Sequence, residues 1–270
     1  MSRTRRFALS FALFVAAAVV TPVAVGLIAA DVSLVALAGV STVGFVLTAG
    51  VGYRFGTDDT AARIGKSRFG PAFVLSPATL DALFVGYYLL TDTLSVSLAL
   101  VLGAGILVGF VTGVIVWNGA ATEHAARARA GRTAVTTWEA RPPDAWWRKS
   151  SVVVASGLTA LIVSTVAAFT VAPWLSSLLP FVGGLFGGML GSISQLKQSR
   201  SYLAYENGVA VEQGGVTAFY GWDQITAIDR TDDAVVLRRH RPWTNFSARS
   251  EDIDGSGELT ATLRELRASA

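Results

Sequence analysis

The chain contains no cysteine, which excludes disulfides, thiolate metal ligands and cysteine nucleophiles together. Histidine is almost as scarce, with two in 270 residues, and His124 has no second metal ligand at helical spacing. Charge is sparse too, at 15% of residues. Lysine occurs three times against nineteen arginines, a bias that reads as the imprint of a GC-rich or halophilic, archaeal genome and not as nucleic-acid binding. Also missing are His-Glu-x-x-His, Gly-x-Ser-x-Gly, a phosphate-binding glycine loop and any pair of intramembrane aspartates. Asp58, Asp59, Glu123 and Glu139 fall at no metal-ligand spacing. The expectation is a non-enzymatic protein without metal or cofactor.

What the chain has in excess is apolar sequence. With 52% hydrophobic residues and a mean hydropathy of +0.50, it is too apolar for an ordinary soluble domain. A bilayer-crossing helix needs ~20 apolar residues. Stretches of that kind predict spans at 7–30, 32–53, 71–90, 94–117, 151–171 and 175–196. Asp31 separates the first pair, Thr91-Asp92-Thr93 the second, and Ala172-Pro173-Trp174 the third, giving three hairpins. The last span holds Pro180 and five glycines, so a re-entrant segment is its alternative. The N-terminal Arg3, Arg5 and Arg6 before an apolar run also suit a secretory leader, but 24 apolar residues exceed the ~7–15 of a signal core.

Orientation follows from Lys and Arg, which are retained on the cytoplasmic side of a span. With the N-terminus inside, none of the 22 basic residues falls on an outer turn. Both termini are therefore expected in the cytoplasm of a multi-pass cell-membrane protein.

Within the spans one ionisable side chain stands out. Asp81 lies mid-helix in the run Ser76-Pro77-Ala78-Thr79-Leu80-Asp81, and such a group costs roughly 2.5–3.5 kcal/mol to insert unless it faces a partner or a polar cavity. It is either a proton or cation site or a hydrogen-bonded clasp between helices. Two glycine stripes at i, i+4 spacing, Gly105, Gly109, Gly113 and Gly183, Gly187, Gly191, predict close helix packing. The inner loop 118–150 is long. Its Ala120–Arg132 stretch favours an extension of the fourth helix, and Trp138, Trp146 and Trp147 beside Arg148 and Lys149 suit a headgroup belt.

After Lys197 the pattern changes to short alternating segments broken by turn residues, which predicts an antiparallel sheet over 197–270. Strands are expected at Tyr202–Tyr205, Val209–Glu212, 216–220, Ile225–Asp229, Ala234–Arg239 and Trp243–Ala248, with turns at Glu206-Asn207-Gly208, Gly214-Gly215 and Thr231-Asp232-Asp233. A closing helix is predicted from Leu259, Leu263 and Leu266 on one face, with Ser256 as its cap.

The run Tyr202-Leu203-Ala204-Tyr205-Glu206-Asn207-Gly208-Val209, then Tyr220-Gly221-Trp222-Asp223-Gln224-Ile225, the Asp232-Asp233 turn and the closing helix resemble bacterial pleckstrin-homology-like (PH-like) domains attached to transmembrane hairpins. About seventy residues carry the resemblance, fewer than a full seven-stranded version needs. It implies an α-helical membrane protein with a small α+β domain that binds or scaffolds at the inner membrane surface, with the bilayer, a membrane-protein partner or a second copy as partners. Arg238, Arg239 and Arg241, with His240 between them, form the one basic cluster and the candidate contact for anionic headgroups. The alternative is a small-solute or ion transporter or channel using Asp81.

Overall fold

The structure is a computed structural model that describes residues 3–67, 70–91, 93–144, 198–240 and 245–270, with residues 152, 156 and 159 besides. The expected spans at 151–171 and 175–196, with Gly183, Gly187 and Gly191, lie outside the described residues, as do Trp146, Trp147, Arg148, Lys149 and Arg241. The chain divides into two compact units, Met1–Glu123 with Ala160–Gly187, and His124–Thr159 with Gly188–Ala270.

The first unit is helical. Its elements are α1 (Arg3–Ala29), α2 (Leu34–Phe55), the short α3 (Asp58–Lys66), α4 (Gly70–Leu90) and most of α5 (Val96–Ala128). Among the described residues three helices, α1, α2 and α5, are long and apolar enough to cross a membrane, and α4 carries a shorter apolar stretch, Ala72–Tyr88. Exposed Val43, Phe45, Val46, Leu47 and Val51 on α2 fit hydrocarbon as solvent.

Helix α1 ends where Asp31 takes a left-handed conformation, φ 55°. The Val32 amide then donates to the Leu27 carbonyl at 3.1 Å and the Asp31 amide to Ile28 at 3.0 Å, a Schellman ending that satisfies two otherwise orphaned carbonyls. Helix α2 returns antiparallel along α1. A Cβ on Gly52 would stand 2.9 Å from Ala12 Cα, and one on Gly56 2.6 Å from Ala8 Cα, so the two backbones touch. The α4 and α5 pair is built the same way: Gly113 lies against the Val74 carbonyl and Gly109 against Pro77 and Ala78. Helix α3 is capped by Thr57, whose hydroxyl accepts the Thr60 amide at 3.3 Å. Ala61 of α3 joins Phe7, Phe11, Phe14, Val74, Val116 and Ala120 in one apolar cluster.

The second unit holds seven strands and a closing helix among its described residues: β1 (Thr136–Ala140), β2 (Arg200–Tyr205), β3 (Gly208–Gln213), β4 (Val216–Gly221), β5 (Ile225–Arg230), β6 (Ala234–Arg239), β7 (Phe246–Arg249) and α6 (Ser256–Ser269). Strands β1-β2-β3-β4 form one antiparallel sheet in that order, and β5-β6-β7 form another. Their shared core contains Trp138, Tyr202, Val209, Val211, Trp222, Ile225, Ile228, Leu237, Leu259 and Leu263.

Strand β1 departs from the sequence expectation. Thr136–Ala140 pairs along β2, Trp138 opposite Tyr202 and Ala140 opposite Arg200, so the sheet draws on chain before residue 145 as well as after 197. Trp138 is buried in this core and does not serve as a headgroup anchor. Burying a large aromatic against another outweighs the interfacial preference of an indole. The β3–β4 turn needs positive φ at both central positions, supplied by Gly214 at 57° and Gly215 at 79°, conformations that glycine adopts without strain. Gly255, at φ 67°, caps α6 and Ser256 is the first helical residue, its carbonyl accepting the Thr260 hydroxyl at 2.7 Å. The Ser256 cap is thereby displaced by one residue, because a left-handed glycine turns the chain into the helix.

The last turn of α5 belongs to this unit. Ala125 packs with Tyr205, Ala210 and Phe219 on the outer face of the four-stranded sheet. His124 meets the edge of the Phe219 ring at 6.3 Å. The helix end is held by Asn207, whose amide donates to the Ala128 carbonyl at 3.0 Å, and by Arg129 paired with Glu212 at 2.5 Å.

Candidate functional site

Each unit places one set of polar side chains where ordinary packing does not account for them. In the helical unit this is Asp81, 2% exposed. Its Oδ2 occupies the notch that Gly105 of α5 leaves by lacking a side chain. A Cβ at Gly105 would overlap Asp81 Oδ2 and would lie 2.9 Å from Thr21 Oγ1 of α1. Three helices therefore meet at one carboxylate, one hydroxyl and one glycine. Among the described residues no hydrogen bond or ion pair reaches the carboxylate. Two prolines flank the junction. Pro22 follows Thr21 and leaves the Ala18 carbonyl without its helical amide, and Pro77 does the same to Phe73. The Phe73 carbonyl is recovered by the Ser76 hydroxyl, which donates at 2.6 Å.

In the sheet unit the arginines of the basic run separate, because neighbours on a strand point to opposite faces. Arg238 points out and pairs with Asp229. Arg239 lies over the Tyr220 ring at 4.5 Å and the Phe246 ring at 5.6 Å, a cation–π arrangement with both rings. Its backbone amide donates to Asn245 Oδ1 at 2.8 Å. His240 is exposed.

A residue not singled out from sequence joins this set. Arg200 opens β2 on the same face as Tyr202, and its positive charge bears on both Tyr202 and Tyr220. Burial raises both phenols above their ordinary range while the neighbouring guanidinium groups oppose the rise. Trp138 stacks flat on Tyr202, with centroids 5.1 Å apart and 3° between the planes, and its Nε1 finds no acceptor among the described residues. The signal for Arg200 was its spacing, two residues before Tyr202, hidden because β2 was expected to begin at Tyr202.

No protein-family model, curated protein or solved structure matches this chain. The reading of function accordingly rests on these two sites. Among the described residues no three His, Asp or Glu side chains gather as a metal site. Of the inner-loop carboxylates, Asp58 accepts from the Thr4 hydroxyl at 3.2 Å and Glu139 from Ser201 at 3.0 Å.

Proposed function

We propose that the protein is a non-enzymatic, multi-pass membrane protein with six spans and both termini in the cytoplasm, whose C-terminal part is a PH-like domain that senses anionic headgroups and scaffolds at the inner face. Four strands, then three strands, then a closing helix is the arrangement such a domain would have, and β1 supplies the strand that residues 197–270 alone would lack. The pairing of Ala140 with Arg200 supports the even number of crossings: the two ends of the uncharged run Ser150–Leu196 are tied to neighbouring strands, hence to one side.

The observation that carries the sensing role is the pairing of Arg239 with two aromatic rings beside Arg200. The chain reaches Arg200 four residues after Leu196, so the backbone of Arg200 stays within roughly 14 Å of the end of an apolar run, since an extended residue spans at most ~3.6 Å. Each basic residue near an anionic surface contributes about 1 kcal/mol of attraction, and aromatic faces hold the guanidinium in place without neutralising it.

The test is hydrogen exchange on the full-length protein in vesicles of phosphatidylcholine alone and with phosphatidylglycerol. Slower exchange over 198–205 and 235–249 with the anionic lipid, abolished by Arg200→Gln with Arg239→Gln, is the expected result. Equal exchange in both vesicles removes the sensing role. The alternative of a transporter or channel depends on Asp81.

A further inference from the structure

We infer that the junction of α1, α4 and α5 is a single-proton binding site, with Asp81 taking the proton and Thr21 the hydroxyl that borders it. The carboxylate is buried, its Oδ2 is aimed at the Gly105 notch, and it has no hydrogen-bond partner among the described residues. A group so placed in a bilayer is stable only when its charge is met or removed.

The surrounding elements offer no charge to meet it. Along α1 no charged side chain stands between Arg6 and Asp31; along α2 none precedes Arg54. Helix α5 has none before Glu123, α4 has none besides Asp81, and the run Ser150–Leu196 adds none. The other titratable groups of α4, Tyr87 and Tyr88, lie well along the helix toward its end. A metal cation would need several oxygen ligands, whereas the oxygens nearest the Gly105 position among the described residues are those of one carboxylate and one threonine hydroxyl. A proton needs one oxygen.

The step balances simply. An O–H bond forms on the Asp81 carboxylate with a proton taken from water, and that proton returns to water when the bond breaks. Because the carboxyl fills the Gly105 notch, exchange requires α4 and α5 to part locally, which couples protonation to their contact. Helix α4 is suited to such a movement, since Pro77 removes one of its hydrogen bonds a turn before Asp81. A proton site of this kind is also the chemistry that a transport role would use, and it does not depend on the headgroup sensing proposed for the sheet domain.

The experiment is infrared spectroscopy of the full-length protein in phosphatidylcholine vesicles, following the protonated-carboxyl band between about pH 5 and about pH 9. The expected result is a band that is absent in Asp81→Asn, fades reversibly as pH rises, and shifts in frequency in Thr21→Val. Where Asp81→Asn does not accumulate folded, Asp81→Glu provides the assignment by moving the band. The absence of any Asp81-dependent band overturns the proposal, because the carboxyl is then ionised throughout. A band that does not change with pH also overturns it, leaving Asp81 as a fixed clasp.

Discussion

Trp138 and Tyr202 stack face to face, 5.1 Å between centroids, although the uncharged run Ser150–Leu196 lies between them in the chain. The stack joins β1 to β2 and closes the four-stranded sheet at that edge. It makes the folding of the sheet unit depend on chain at both ends of the apolar run.

Trp138→Ala should therefore cost the sheet unit about 3–5 kcal/mol, the range for removing a buried large aromatic. Unfolding of the full-length protein in detergent, followed by hydrogen exchange of β2 and β3, measures it. Trp138→Phe, which keeps a ring on Tyr202, should recover most of the loss. An unchanged β2 in Trp138→Ala would mean that β1 is dispensable.

Much of this unit was legible because its strands are local. Turns such as Gly214-Gly215 bring a strand back onto its predecessor within each sheet, and period-two burial follows from the pleat. Strand β1 has the same signature, with Trp138 and Ala140 buried and Thr137 and Glu139 exposed. It was hidden because its partner is remote in sequence and because Trp138 stands near Trp146, Trp147, Arg148 and Lys149, which suit a headgroup belt. In the helical unit Asp81 was legible from polarity alone. Gly105 was legible as a packing glycine, but that it and Thr21 meet Asp81 was not, since hydropathy gives the length of a helix but not the face it turns to another.

The contact of α4 with α5 sets up a second prediction. Gly113→Ala drives a methyl into the Val74 carbonyl, whereas Gly86→Ala on α4 meets nothing within 4 Å among the described residues. Backbone cannot yield as a flexible side chain does, so the first substitution should lower the thermal stability and folded yield of the full-length protein, and the second should change neither. Equal behaviour of the two variants would show that α4 does not lie on the glycine stripe.

Asp252 gives the sheet unit a defined response to acid. Its carboxylate accepts from the Arg141 side chain at 2.8 and 3.2 Å and from the Arg141 backbone amide at 2.8 Å, and the arginine holds its pKa below the ordinary carboxylate value. A folded-state pKa lower than the unfolded one stabilises above the unfolded value, about 3.9. That contribution is lost as pH falls through the lowered folded value. Asp252→Asn should be slightly less stable than the native chain at neutral pH, and the two unfolding curves should converge on acidification. A gap that persists in strong acid would assign the effect to something other than the ion pair.

The proposed topology is testable without background, because the chain has no cysteine to remove. Asp31 ends α1 in an exposed turn, Ser95 precedes α5, and Ser269 lies at the exposed end of α6. If basic residues mark the cytoplasmic side, Asp31→Cys and Ser95→Cys should react with a membrane-impermeant maleimide added to intact cells. Ser269→Cys and Arg132→Cys should react only after the cells are opened. Labelling of Ser269→Cys in intact cells would place the sheet domain outside, where the surface lacks the anionic headgroups proposed for Arg200 and Arg239. Labelling of Asp31→Cys only in opened cells would reverse the first hairpin.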